Sequence, residues 1–303
     1  MREQTLDRLI RAGLKAVVVG IALVAVIYFL DRPHKGPSLA DRQITAGEQA
    51  VRASPANVGL RLALAEAYRA AHRSDGALEQ YSAVLKVEPN QVALLGRGEI
   101  LSERGDLPSA RKSFEQTIGK TGSGEFARVN PQLESAYYGL SSVMLRQHQP
   151  SQAMRELKKA LDIEPTDADA WYLMGTAAIE SGAYERAENA LRQAALYVPT
   201  GWCAPYQQLS NAYRAQRRKP QLEYAEAMVE LCEKRPADAA LRLERLTAGP
   251  AAVDAMLGLG MAAEAQSQRA SAVRWYRKVL AVDPQNFNAL SGLGRLGVPT
   301  GGK

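Results

Sequence analysis

The residues able to do chemistry are few and poorly placed for it. Gly119-Lys120-Thr121 matches the end of a phosphate-binding loop, but such a loop needs a glycine five residues earlier and a preceding strand, and position 114 is Phe114 on a predicted helix. His34, His72 and His148 are scattered, with no pair at metal-ligand or catalytic spacing to a cysteine or carboxylate pattern. They read as solvated or packed side chains. Glu66, Glu99 and Glu103 fall at helical spacing on exposed faces, which reads as solvated surface and not as an acid/base pair. Two cysteines, Cys203 and Cys232, exclude a disulfide-dense scaffold and a self-contained Cys-rich zinc site. The expectation is therefore no catalytic residue, no metal and no cofactor: a chain that binds and does not catalyse.

With 46 % hydrophobic, 23 % charged and 6 % aromatic residues among 303, the chain is neither disordered, collagenous nor a many-spanning membrane protein. The net charge of +6 points first to a polyanion, but its distribution argues against nucleic acid. Residues 1–35 carry six bases and three acids, so half of the excess sits there; the rest of the chain holds 32 bases and 29 acids.

Those first residues read as a membrane anchor. Ala16 to Leu30 is uncharged, and adding Ala12 to Lys15 gives 19 residues, ~28 Å of helix, enough to cross a bilayer. Lys15 can reach the headgroups by its long stem, and Tyr28 and Phe29 suit the opposite interface. A cleaved signal peptide is the rival reading, yet its nearest small-residue site, Ser38-Leu39-Ala40, lies about ten residues too far on. Four bases before the span against three just after favour a cytoplasmic N-terminus, with everything after residue 31 outside the cytoplasm, on the periplasmic side.

The rest of the chain repeats. Pro55 and Pro89 lie about 34 residues apart, as do Pro165 and Pro199, which is the length of one helix-turn-helix repeat. With each proline at position 32, the block from Ala168 places Trp171, Met174, Gly175, Ala178, Gly182, Tyr184, Ala187, Leu191 and Ala194 at positions 4, 7, 8, 11, 15, 17, 20, 24 and 27. Blocks from Val58, Glu134 and Val253 match as well, although Arg61 stands where position 4 prefers a large apolar residue, and copies from Gln91 and Cys203 are less regular. Over about two thirds of its length the chain is similar to the tetratricopeptide repeat family, of the bacterial type with one N-terminal transmembrane helix. The resemblance implies an all-α right-handed superhelix of about six helix-turn-helix hairpins plus capping helices. Small residues at positions 8, 20 and 27 permit close helix approach, and Asn90, Asp167 and Asn286 are placed to cap the helices that follow.

The expected organisation is an N-terminus and anchor over 1–35, the membrane contact being residues 12–30, then a linker and capping helix over 36–57. A repeat array follows over 58–236, with repeats near 58–91, 91–124, 134–167, 168–201 and 203–236. Residues 119–130, with three glycines, read as a loop; 237–252 reads as an unpaired helix and loop, and 253–303 as the last repeat, a closing helix and a tail. In the Cys203 block the two cysteines fall at positions 1 and 30, at one end of an antiparallel pair. A disulfide there would add about 3 to 4 kcal/mol, and two separate buried thiols are the alternative.

In this family the first helix of each repeat lines the inner surface. The resemblance thus assigns Tyr138, Ser142, Arg146, Tyr172, Thr176, Gln207, Asn211 and Arg214 to a groove for a protein or peptide client, with Arg146, Arg214 and Asn211 gripping a backbone or carboxylate. Chaperone-binding members use a lysine at position 5, where this chain has Leu62, Leu95, Tyr138, Tyr172, Gln207 and Leu257. The reading is a membrane-tethered scaffold acting in envelope assembly, similar to cytochrome c maturation factors or secretion chaperones. A permanent subunit of a membrane complex and a cytoplasm-facing receptor are the alternatives.

Overall fold

The computed structural model describes residues 21, 38–121, 129–197 and 201–299. Among the described residues there are fifteen helices and no strand: α1 (Leu39–Ala53), α2 (Val58–Ala70), α3 (Ser74–Val87), α4 (Gln91–Glu103), α5 (Leu107–Thr121), α6 (Pro131–Arg146), α7 (Pro150–Ile163), α8 (Ala168–Glu180), α9 (Tyr184–Tyr197), α10 (Ala204–Ala215), α11 (Lys219–Cys232), α12 (Pro236–Glu244), α13 (Ala252–Ala265), α14 (Arg269–Val282) and α15 (Phe287–Arg295). They fall into two compact units, divided between Ala77 and Leu78.

In the first unit Ser38 opens α1 through a capping box with Asp41, and Ile44 and Val51 pack on Leu64 of α2. Tyr68 Oη donates to Glu48 Oε1 at 2.7 Å. Arg61 Nε donates to the Pro55 carbonyl at 2.7 Å, and Trp171 Nε1 donates to the Pro165 carbonyl at 2.8 Å. An arginine at position 4 thus makes the same contact as the tryptophan of a later repeat, which explains why the departure is tolerated.

The second unit stacks five hairpins, α4/α5, α6/α7, α8/α9, α10/α11 and α13/α14, each helix lying against the next. Asn90, Asn130, Asp167 and Asn286 cap the helices that follow them by accepting backbone N–H bonds. Each hairpin turn, in both units, needs one residue in the left-handed region: His72, Gly105, His148, Gly182, Arg217 and Ser267, with φ between 55° and 83°, all at position 15 of their repeats. Two of the three histidines are therefore turn residues.

Bulk and absence of bulk alternate between the helices. The Phe114 ring sits where a Cβ on Gly98 would come within 2.8 Å and one on Gly139 within 2.5 Å. Tyr276 is held in the same way between Gly260 and Gly292, at 2.5 Å from each built Cβ. In both cases an aromatic at position 24 is clamped between position 8 of its own hairpin and position 6 of the helix that follows. Tyr276 Oη, buried by this packing, donates to Glu264 Oε2 at 2.7 Å, and Arg295 holds the same carboxylate.

Where the repeat period breaks, α12 packs without a hairpin partner of its own, against both α11 and α13. Arg192 of α9 spans the interruption. It pairs bidentately with Asp254 of α13 at 2.8 and 2.6 Å, beside the buried Tyr206, Tyr213 and Tyr224.

The loop expected from residue 119 begins later than expected: α5 runs through Thr121, so Gly119, Lys120 and Thr121 form its last turn, and the remainder of that loop up to residue 128 lies outside the described residues. The expected anchor, residues 12–30, also lies outside them except for Ile21. Among the described residues no helix is long and apolar enough to cross a membrane.

Because the Tyr276 ring is confined on both edges, Gly260→Ala is expected to destabilise the chain by about 1–3 kcal/mol, as overpacking does. Gly294→Ala, with nothing within 4 Å of its built Cβ, is expected to be neutral or stabilising. Urea unfolding midpoints of the two variants make the comparison.

Candidate functional site

The first helices of consecutive repeats bring one set of side chains together. Glu99, Ser102 and Glu103 come from α4, Glu134, Ser135, Tyr138 and Ser142 from α6, and Asp167 and Asp169 from the start of α8. They line a cleft of about 390 Å³ whose floor is the edge of Phe114 and Gly139. Helical spacing explains the grouping: 135, 138 and 142 share one face of α6, as do 99, 102 and 103 on α4. Among the described residues the lining holds five carboxylates and no basic residue.

Electrostatics in the cleft are unfavourable to full ionisation. Burial, and then the Asp167 carboxylate beside it, push Glu134 up to about 7. Its Oε2 accepts from Ser135 Oγ at 3.2 Å, whereas its buried Oε1 has no donor facing it. A proton on the Glu134 carboxyl relieves the repulsion from Asp167. Asp167 is itself held by the Asp169 and Ala170 amides at 2.9 and 3.1 Å. Burial, with the nearby Asp169 and Asp167, raises Tyr138 as well.

Of the eight groove residues expected from the sequence, five line two clefts. Tyr138 and Ser142 line the acidic cleft. Arg146 donates across to the Ser102 carbonyl, tying the end of α6 to that of α4. Tyr172 packs its ring on Trp202, centroids 5.0 Å apart, and Thr176 Oγ1 bonds back to the Tyr172 carbonyl at 3.1 Å.

Gln207, Asn211 and Arg214 line a second cleft of about 400 Å³ with Glu226, Glu230, Glu233, Arg235 and Arg242. There Arg214 reaches Asn211 Oδ1 at 3.3 Å and Glu226 at 3.2 Å, while Arg242 bridges Glu226 and Glu230 at 3.3 and 2.9 Å. Both arginines expected to grip a client thus have intramolecular partners.

Cys203 and Cys232 form a disulfide, with Cα atoms 5.6 Å apart, joining the start of α10 to the end of α11. It fixes the two helices that carry the second cleft.

Sequence reasoning missed Glu134 and Trp202, and took Glu99, Glu103 and Asp167 for solvated surface or a cap. No repeat signal marks them: Glu99 and Glu103 stand at positions 9 and 13 of one first helix, Glu134 at position 1 of the next, and Asp167 and Asp169 at positions 0 and 2 of the third. Among the described residues no group of three or more His, Cys, Asp or Glu is arranged to hold a metal ion.

Antiparallel helix pairs with a left-handed residue at position 15, stacked through small positions, define a helical-repeat binding scaffold. The chain belongs to the tetratricopeptide repeat family: family models for this repeat match residues 62–125, 144–216 and 224–289, together more than half of the chain.

Solved structures share the fold. MamA is 22 % identical, with a TM-score of 0.52 over 60 % of this chain and 94 % of its own. YrrB, described as a tetratricopeptide protein with an unusual peptide-binding site, is 16 % identical, with a TM-score of 0.52 over 67 % of this chain and 98 % of its own. PilF of Pseudomonas aeruginosa is 17 % identical, with a TM-score of 0.51 over 76 % of this chain and 97 % of its own. No curated protein matches the chain.

The Glu134 carboxyl holds its proton to about pH 7 when folded but only to about its ordinary 4.5 when unfolded. The folded chain therefore binds the extra proton in this window, and unfolding free energy falls as pH rises through it. Glu134→Gln is expected to remove that decline, matching the parent at pH 5 and exceeding it at pH 8 in urea midpoint. Replacing Cys203 and Cys232 by serine, which opens a loop of 29 residues, is expected to cost about 3 kcal/mol in the same assay.

Proposed function

We propose that this chain is a non-enzymatic, membrane-tethered scaffold whose repeats hold a peptide or protein client on the surface lined by the first helices, in the assembly of envelope or membrane complexes. The observation that carries the binding role is the cleft of Glu99, Glu103, Glu134, Asp167 and Asp169 around Tyr138 and Ser142, all presented by first helices. Its chemistry selects the client: a lysine- or arginine-bearing segment that also offers apolar contact to the Tyr138 ring. YrrB, which shares the fold and is described as having a peptide-binding site, supports a peptide as the ligand class.

The tether rests on the uncharged run Ala16–Leu30, and the placement of the repeats outside the cytoplasm on the bases that flank it. That placement is also the one in which the Cys203–Cys232 disulfide persists. Cytochrome c maturation and secretion chaperoning are the kinds of assembly this architecture resembles.

Photocrosslinking in cells from Tyr138, Tyr172 and Asn211 of the full chain tests the reading. Expected is one recurrent partner captured from Tyr138 and lost when Glu99, Glu103 and Asp169 are replaced by their amides; capture of unrelated neighbours alone defeats it. Because a cationic side chain beside Glu134 and Asp167 displaces the Glu134 proton, binding of a Lys/Arg peptide is expected to tighten from pH 6 to pH 8. Isothermal titration in two buffers of different ionisation enthalpy reads the released proton.

A further inference from the structure

Another cavity lies away from the acidic cleft. It occupies about 740 Å³ between the end of α3, α4 and α5, and its wall combines Leu85, Pro89, Leu94 and Leu101 with Arg97, Lys112 and Lys120. Among the described residues no carboxylate lines it.

One register position in its wall departs from the other repeats. At position 7 the other repeats carry Leu64, Leu140, Met174, Leu209 and Leu259, and four of these, the leucines, are buried fillers of the space between helices. In the repeat that begins at Gln91 the same position is Arg97. The guanidinium is half-buried and held by neutral acceptors alone, Ser113 Oγ at 3.1 Å and Gln116 Oε1 at 3.2 Å. Burial lowers its pKa, and no ion pair to a carboxylate of the described residues compensates it. A half-buried cation without a counter-ion is costly, and an aliphatic residue at this position would fill the space at no such cost.

We propose that this cavity is a second binding site, which recognises an acidic segment of a partner polypeptide by placing a Glu or Asp carboxylate on Arg97 and a neighbouring aliphatic side chain among Leu85, Leu94 and Leu101. The planar guanidinium fork suits a carboxylate, and the three leucines suit the aliphatic neighbour. Lys112, Gln116 and Lys120 continue the site as an exposed stripe along α5, eight residues or ~12 Å long, which matches about four residues of extended chain. The site is chemically opposite to the acidic cleft and does not depend on it.

The test uses the full chain and a fluorescein-labelled peptide of alternating Leu and Glu, its Leu/Gln counterpart, laurate and inorganic phosphate. The Glu peptide is expected to bind saturably by anisotropy, with the Gln peptide at least tenfold weaker. Arg97→Leu is expected to weaken the Glu peptide at least tenfold while its melting temperature equals or exceeds the parent's, because it restores the filler of the other repeats. The surface double variant Lys112→Gln/Lys120→Gln should weaken binding several-fold with unchanged stability, which keeps the test decisive if Arg97→Leu folds poorly.

No saturable binding, equal binding of the Gln peptide, or parental affinity in both variants overturns the proposal. Arg97-dependent binding of laurate or phosphate without binding of the Glu peptide overturns the peptide assignment. Crosslinks from Tyr138 are expected to be unchanged in Arg97→Leu, which separates this site from the acidic cleft.

Discussion

The packing of this chain depends on one constraint, a bulky side chain at position 24 that needs a missing side chain on each of two neighbouring helices. Phe114 between Gly98 and Gly139, and Tyr276 between Gly260 and Gly292, show it most directly. Each ring reaches backbone on both sides, so one group fixes three successive helices. This is what makes a repeat array additive: each interface is local, and a longer chain adds interfaces without redesigning the earlier ones. Close approach in turn requires the hairpin to reverse within a few residues, which is why position 15 is left-handed even where it is His72, His148, Arg217 or Ser267.

That geometry is also what assembles the acidic cleft. Once α4, α6 and α8 are held side by side, acids scattered along the sequence from Glu99 to Asp169 become neighbours. The cost appears at Glu134, whose carboxyl holds a proton to about pH 7. Several charges elsewhere are paired within the chain: Arg192 with Asp254, Arg214 and Arg242 with Glu226, Arg218 with Glu188 and Arg295 with Glu264. Among the described residues the cleft gathers five carboxylates around Tyr138 and Ser142, the feature on which the proposed client chemistry rests.

The repeat was legible in the sequence because its rule is strictly local. Prolines one repeat length apart set the register, and the small residues at position 8 and the polar residues after the prolines then followed. Position 6, equally demanding at Gly139 and Gly292, was not legible, because its constraint comes from the preceding hairpin's ring. The binding residues were harder. Arg146 and Arg214 stand at groove positions, but whether a long cation faces solvent or folds onto Ser102 or Glu226 depends on where the next helix lies. Glu99 and Glu103 were read as solvated surface, and Asp167 as a cap alone, for the reverse reason: each is ordinary alone, and only adjacency makes the carboxylates a group.

A single helix shows how the two surfaces coexist. On α4, at about 100° per residue, Glu99 stands about 200° and Glu103 about 240° around from Arg97. The helix therefore carries negative charge into the cleft it shares with α6 and α8, and positive charge into the cavity it shares with α3 and α5. Gly96, against the Tyr81 ring, and Gly98, against Phe114, hold it between its neighbours while these faces stay apart. The helix does this at the expense of one signature position: Arg97 replaces the apolar residue of position 7, while Leu94, Gly98 and Leu101 keep positions 4, 8 and 11, and the family model still covers this repeat.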